Sequence, residues 1–208
     1  LHTLPIFLQW PPTPHNPYLQ CHQAPSVDAL RTVLQTTDPG IDVAIVSGEA
    51  SGKGFLSVKR QLDNGTCFDT RVPVDFNDTS QLCSTLAYFK EFRPHFAILL
   101  QNHQFFGPPG NVIRCHHPSE WHDNYLTLAS QGRLCGDIAF LQLRHDGHFV
   151  SLQSDPSTLY QEEPWPRILQ DNRAHTVKWD RCQTGLTDAY NDSVHSPSLI
   201  VASSPQLT

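Results

Sequence analysis

The sequence predicts a β-rich α+β fold of curved mixed or antiparallel sheets with a few short helices. Three observations carry that expectation. The 208 residues include 17 prolines and only 38% hydrophobic residues, a balance that favours short strands joined by loops over a helical bundle. Short apolar runs recur between Pro, Gly, Asn and Asp clusters, as strands do. Six cysteines are scattered without any CxxC, CxC or CxxxxC spacing, which suits disulfides in an oxidising compartment better than zinc. The length allows one sizeable core, or a core with a subordinate lobe.

Taken in order, Leu4 to Trp10 is an apolar run that ends in prolines, a strand entering extended chain. Ser26 to Leu34 offers two readings. Ser26 can cap a short helix bearing Val27, Leu30 and Leu34, or the segment is another strand, and the strand is preferred. Ile41 to Val46 is a strong strand that runs into the glycine-rich Ser47 to Phe55. That loop imitates a phosphate-binding motif. However, Gly48-x-x-x-Gly52-Lys53 is one residue short, and Gly54 stands where a Ser or Thr would hold magnesium. Val72 to Phe76 reads as a short strand. The segment between Cys83 and Cys115 reads as a strand or short helix pair, ending in a Pro-Gly loop whose Phe105 and Phe106 are either an exposed contact surface or, the commoner case, packed in the core. The stretch from Cys135 to Tyr160 organises the chain. Ile138, Phe140, Leu141 and Leu143 approximate an alternation, Asp146-Gly147 is a turn signal, and His148 to Leu152 is a second run, so the expectation is a β-hairpin. Gln161 to Asp171 looks irregular, and Thr176 to Trp179 and Leu199 to Val201 are candidate strands.

Composition also limits function. A net charge of −6 argues against nucleic acid and anionic membrane surfaces. The longest aliphatic cluster, Phe96 to Leu100, is far too short to span a bilayer. Residue 1 is Leu and no signal peptide is evident, so the sequence reads as a processed chain. Sequons at Asn64, Asn77 and Asn191 point, with the cysteines, to a secreted or lumenal chain. Of the 12 histidines, His116, His117 and His122 are the nearest approach to a metal set. No HExxH accompanies them, so solvated imidazoles, or pH sensors between cell-surface and endosomal pH, come first. His145 and His148 should face solvent at the turn. There is no Gly-x-Ser-x-Gly elbow and no cysteine set apart with a base, so no enzyme, cofactor or metal site is expected.

One resemblance adds to these readings. Cys135, Gly136-Asp137, Ala139-Phe140, the Gly-containing turn, Phe149 and Ser157-Thr158-Leu159-Tyr160 resemble the receptor-binding surface subunit of the filovirus envelope spike. Gly40 to Ala44 and Ala50 to Phe55 are similar to a second segment of that family, with Lys53 where the family has an aromatic residue. The segment between Cys83 and Cys115 is much longer here than in the family. The resemblance runs over roughly residues 19 to 160, with gaps. It implies one compact base-and-head unit. Residues 1–60 would form base strands clamping a membrane-anchored fusion subunit, 61–160 a disulfide-stapled head, and 161–208 an irregular region leading to a glycan cap. The implied pairs are Cys67 with Cys115 and Cys83 with Cys135. Cys21 would bridge to the fusion subunit, and Cys182 has no counterpart. A receptor trough would draw on Val46, Ser47, Gly48, Ser51, Gly54, Phe55, Thr70 and Ala139. The implied partners are the fusion subunit, in a trimer of heterodimers, and a host endosomal receptor such as the Niemann–Pick cholesterol transporter. The implied location is the virion envelope, reached through the secretory pathway. The rival reading is a free-standing secreted binding or decoy module.

Overall fold

In a computed structural model, residues 26–37, 41, 43–46, 64–68, 72–101, 105–180 and 197–205 are described. They form a six-stranded mixed sheet in the order β2-β1-β3-β4-β6-β5. The strands are β1 (Val43–Val46), β2 (Asn64–Phe68), β3 (Phe96–Leu99), β4 (His148–Ser154), β5 (His175–Asp180) and β6 (Pro197–Ala202). The first four are mutually parallel, whereas β6 and β5 add antiparallel pairs at one side. The helices are α1 (Val27–Thr37), α2 (Thr79–Phe92), α3 (Pro108–His116), α4 (Pro118–Arg144) and α5 (Trp165–Gln170), with a 3-10 turn at Leu159–Gln161.

The mixed sheet and the αβ character agree with the predicted class, but the balance does not. Helix α2 lies between β2 and β3 in the chain, and α3 and α4 lie between β3 and β4, because parallel strands need a long crossover that a tight turn cannot supply. The segments 1–60, 61–160 and 161–208 each contribute strands to this sheet. The expected strands at Ile41 to Val46, Thr176 to Trp179 and Leu199 to Val201 are present as β1, β5 and β6. Val72 to Phe76 makes only an isolated bridge at Val72. The strand expected at Leu4 to Trp10 lies outside the described residues.

Three expectations fail for identifiable reasons. Residues 26–34 are helical, not extended: Ser26 caps α1 by accepting from the Ala29 N–H at 3.2 Å, and Val27 and Leu30 bury one face. The hairpin is absent, because Cys135 to Arg144 is the last part of the 27-residue helix α4, and β4 pairs in parallel with β3. The Asp146-Gly147 turn is real but serves as the helix stop. Asp146 takes the left-handed conformation at φ 54°, and the Gly147 N–H closes back on the Gln142 carbonyl at 2.9 Å. Residues 161–171 are not irregular throughout, since Trp165–Gln170 forms α5 around a fully buried Trp165.

One face of the sheet carries the main core. Ala44, Val46, Ala97, Leu99, Phe149 and Val201 meet Leu30 of α1, Tyr88 and Phe89 of α2, and Leu134, Ile138, Ala139 and Leu143 of α4. A second cluster on the other face is built from Val43 and Ile45 with Phe96, Ile98 and Leu100. Of the two readings for the Phe105-Phe106 pair, core packing holds for Phe106, which is 2% exposed and packs against Tyr125 with ring centroids 5.5 Å apart; Phe105 is half-buried.

The turn after α5 is held by an ion pair that acid should weaken. Arg173 grips Asp171 with two bonds, Nε to Oδ1 at 3.0 Å and Nη2 to Oδ2 at 2.8 Å, and also donates Nη1 to the Leu143 carbonyl. The Arg173 side chain bonded to Asp171 holds that carboxyl down, to about 2. A depressed folded-state pKa gives stability that is fully present above the ordinary carboxylate range and is lost as pH falls toward 2. Acid titration followed by circular dichroism should therefore show Asp171→Asn losing the part of the wild-type stability decline that lies between pH 4 and 2. An unchanged acid limb in the variant would mean that the pair does not contribute to acid sensitivity.

Candidate functional site

The order β2-β1-β3-β4 places the second strand on one side of the first and the third on the other. In open sheets of this kind the crevice outside the carboxyl ends, where the order reverses, is where ligands bind. Here the reversal falls between β1 and β3. The Leu100 N–H bonds the Val46 carbonyl at 3.0 Å there, and Gln101 follows at once.

Beside that point lies a buried polar network on the helix-covered face. Ser151 and Gln153 alternate with apolar residues along β4, so both point to the same side as Phe149. Ser151 Oγ donates to Gln101 Oε1 at 3.3 Å, and Gln153 Nε2 donates to the same oxygen at 3.2 Å. Tyr160 OH lies 3.0 Å from Ser151 Oγ. Because the single Ser151 proton is committed to Gln101, Tyr160 is the donor in that pair. Ser157 Oγ donates to Gln153 Oε1 at 3.3 Å. Gln153 Nε2 also donates to the Gln101 backbone carbonyl at 3.5 Å, a pure acceptor that sets the nitrogen end of the Gln153 amide toward Gln101. The Cys135 thiol from α4 lies beside the Gln101 amide and is wholly buried.

The donors therefore converge on Gln101 Oε1 and leave Gln101 Nε2 at the end of the chain. That nitrogen is buried and has no hydrogen-bond partner among the described residues, on a residue only 3% exposed. A buried polar atom without a partner is uncommon and calls for a specific cause. Burial pushes both the Cys135 thiol and the Tyr160 phenol well above their usual ranges. Both stay protonated at neutral pH. Cys135 is thus a poor nucleophile, since only the thiolate attacks.

The cover over the network is residues 155–161. Thr158 donates its N–H to the Phe106 carbonyl at 2.8 Å, which ties this segment to the turn before α3. Helix α4 comes close beneath it because Gly132 and Gly136 have no side chains. A Cβ on Gly132 would stand 2.2 Å from a Leu159 methyl, and one on Gly136 would stand 2.7 Å from the Pro164 ring.

The residues expected from the sequence to act together are mostly not assembled. The Cys83–Cys135 bridge does not form: Cys83 is exposed on α2, whereas Cys135 is sealed under α4, and both are free thiols. Cys115 is also free and exposed on α3, so it does not pair with Cys67, whose side chain is outside the described residues. Cys21 and Cys182 lie outside them as well. Of the trough set, Val46 and Ala139 are 0% exposed in the core and cannot meet a receptor. Ser47, Gly48, Ser51, Gly54, Phe55 and Thr70 are outside the described residues. Among the sequons, Asn77 is exposed at the turn before α2, and its Oδ1 accepts from Thr127 Oγ1 at 3.0 Å. The Asn64 side chain and Asn191 are outside the described residues.

His116, His117, His122, His145 and His148 are exposed, the last two as expected. Among the described residues no three His, Cys, Asp or Glu side chains converge to hold a metal ion, and no helix is long and apolar enough to cross a membrane. Sequence reasoning passed over Gln101, Ser151, Gln153 and Tyr160 as candidate functional residues. The available signal was the pair of polar residues at alternate positions in an otherwise buried strand, Phe149-Val150-Ser151-Leu152-Gln153. No protein-family model, curated protein or solved structure matches the chain.

Proposed function

We propose that this chain is a binding module of α/β architecture that takes a small ligand at the carboxyl ends of β3 and β4. This role accords with the free-standing module expected as the alternative and requires no fusion subunit. The observation that carries it is Gln101 Nε2, a buried donor with no partner among the described residues, at the end of a relay of side-chain hydrogen bonds. Leaving such a donor unserved costs about 1–3 kcal/mol, and a ligand that accepts from it recovers that energy. The location next to the reversal of strand order supports the reading independently. Tyr160 is only 5% exposed, so access requires residues 155–161 to lift, with Tyr160 moving aside. The bonds from the Thr158 N–H and Oγ1 to the Phe106 carbonyl, at 2.8 and 3.4 Å, are among those such a motion releases.

A screen of the ¹⁵N-labelled chain against small neutral and anionic fragments, read at the side-chain amide of Gln101 in ¹H–¹⁵N spectra, tests this. At least one fragment should shift that resonance together with Ser151 and Gln153, and Gln101→Leu should abolish its binding. A long-lived water seen by cross-relaxation at Gln101 Nε2, displaced by no fragment, would overturn the reading and make the network purely structural.

A further inference from the structure

The geometry points to an uncharged acceptor, the carbonyl of an amide or peptide group, as the chemical group this site receives; this rests on the binding-module reading. The direction of the relay decides the first half. Tyr160 donates to Ser151, Ser151 and Gln153 donate to Gln101 Oε1, and Ser157 donates to Gln153. Gln101 Oε1 has both lone pairs engaged, so what remains at the end of the relay is N–H alone. A cation or a donor group finds no free acceptor on the Gln101 side chain. The preceding bonds also polarise the Gln101 amide and strengthen its N–H groups as donors. The neighbouring Cys135 sulfur interacts with the Gln101 amide, but a protonated thiol is a weak acceptor, so it satisfies those N–H groups poorly.

The second half follows from charge. Gln101, Cys135, Ser151, Gln153, Ser157 and Tyr160 are all neutral side chains, and Gln101, Cys135, Ser151, Gln153 and Tyr160 are all buried. A carboxylate or phosphate brought here would lose its hydration without meeting a cation among the described residues of the relay, the situation in which burying a charge is most costly. An amide carbonyl loses far less and gains the same bond. Sites built to hold anions present Arg, Lys or a helix N-terminus, and none of these belongs to the relay.

The experiment is a pair of titrations of the intact chain at pH 7, with N-methylacetamide and with acetate, following the Gln101 side-chain amide. N-methylacetamide should bind at least tenfold more tightly. Acetate binding as tightly or more tightly would overturn the neutral-carbonyl inference and leave the binding-module reading standing. Failure of both probes to move the resonance would remove that reading, and the inference with it. Gln101→Glu, which replaces the donor by an acceptor of the same shape, should lose N-methylacetamide binding; retained binding in that variant would also overturn the inference.

Discussion

Trp165→Ala is expected to lower the unfolding free energy by about 3–5 kcal/mol, the usual cost of emptying a fully buried aromatic site. Trp165 is 0% exposed and holds three things at once. Its ring meets Tyr160 edge-on, with centroids 5.0 Å apart at 74°. Its Nε1 donates to the Gly132 carbonyl at 3.0 Å. It also fills the space that Gly136 leaves open, where a Cβ would approach Nε1 to 3.2 Å. Loss of the indole leaves a cavity between α4 and the 3-10 turn and removes the edge that positions Tyr160 over Ser151. Trp165→Phe keeps most of the packing and gives up the donor, so it should cost about 1–2 kcal/mol. Urea denaturation of the two variants beside wild type measures both. Against a typical domain stability of about 5–15 kcal/mol, the alanine variant should be close to unfolding. A cost below about 1 kcal/mol would mean that α5 is not part of the cooperative core.

The sequence announced some of this architecture and concealed the rest in specific ways. The runs that became β1, β5 and β6 were readable because β-branched and aliphatic residues cluster there between turn formers. Helix α4 was concealed by its own buried face. The residues facing the core are Gln131, Leu134, Cys135, Ile138, Ala139, Gln142 and Leu143, a regular helical stripe. Two of its members are glutamines, and Gly132 and Gly136 within it imitate turn residues. Phe140, 40% exposed on the outer side, and half-buried Leu141 complete a false alternation with Ile138 and Leu143. Polar residues were assumed to face water, and here they face the core because they have partners inside it. The same assumption hid the candidate site, since Gln101, Ser151 and Gln153 are glutamines and a serine in stretches otherwise read as strand and loop. The cysteine framework failed for a related reason: Cys135 acts as a small buried apolar residue on a helix, and spacing alone does not distinguish that use from a bridge.

Gln142→Leu should lower stability by about 2–4 kcal/mol, although it replaces a polar residue by an apolar one of similar size in a buried position. Gln142 is 2% exposed near the carboxyl end of α4. Its Nε2 donates to the Pro94 carbonyl and to the His148 carbonyl, each at 2.9 Å. Those carbonyls sit just before β3 and at the first residue of β4, so a single side chain ties the helix to the start of the two central parallel strands. Leucine satisfies the burial but strands both acceptors, and a buried group without its partner costs about 1–3 kcal/mol. Gln142→Glu separates shape from donation, because the carboxylate keeps the size and offers no donor. It should be at least as damaging at neutral pH and should recover part of the loss in acid, once protonation restores an O–H. Parallel urea curves at pH 7 and pH 5 distinguish the cases. Leucine matching wild type at both values would show that the two carbonyls find other donors, and that α4 is held to the sheet by its apolar stripe alone.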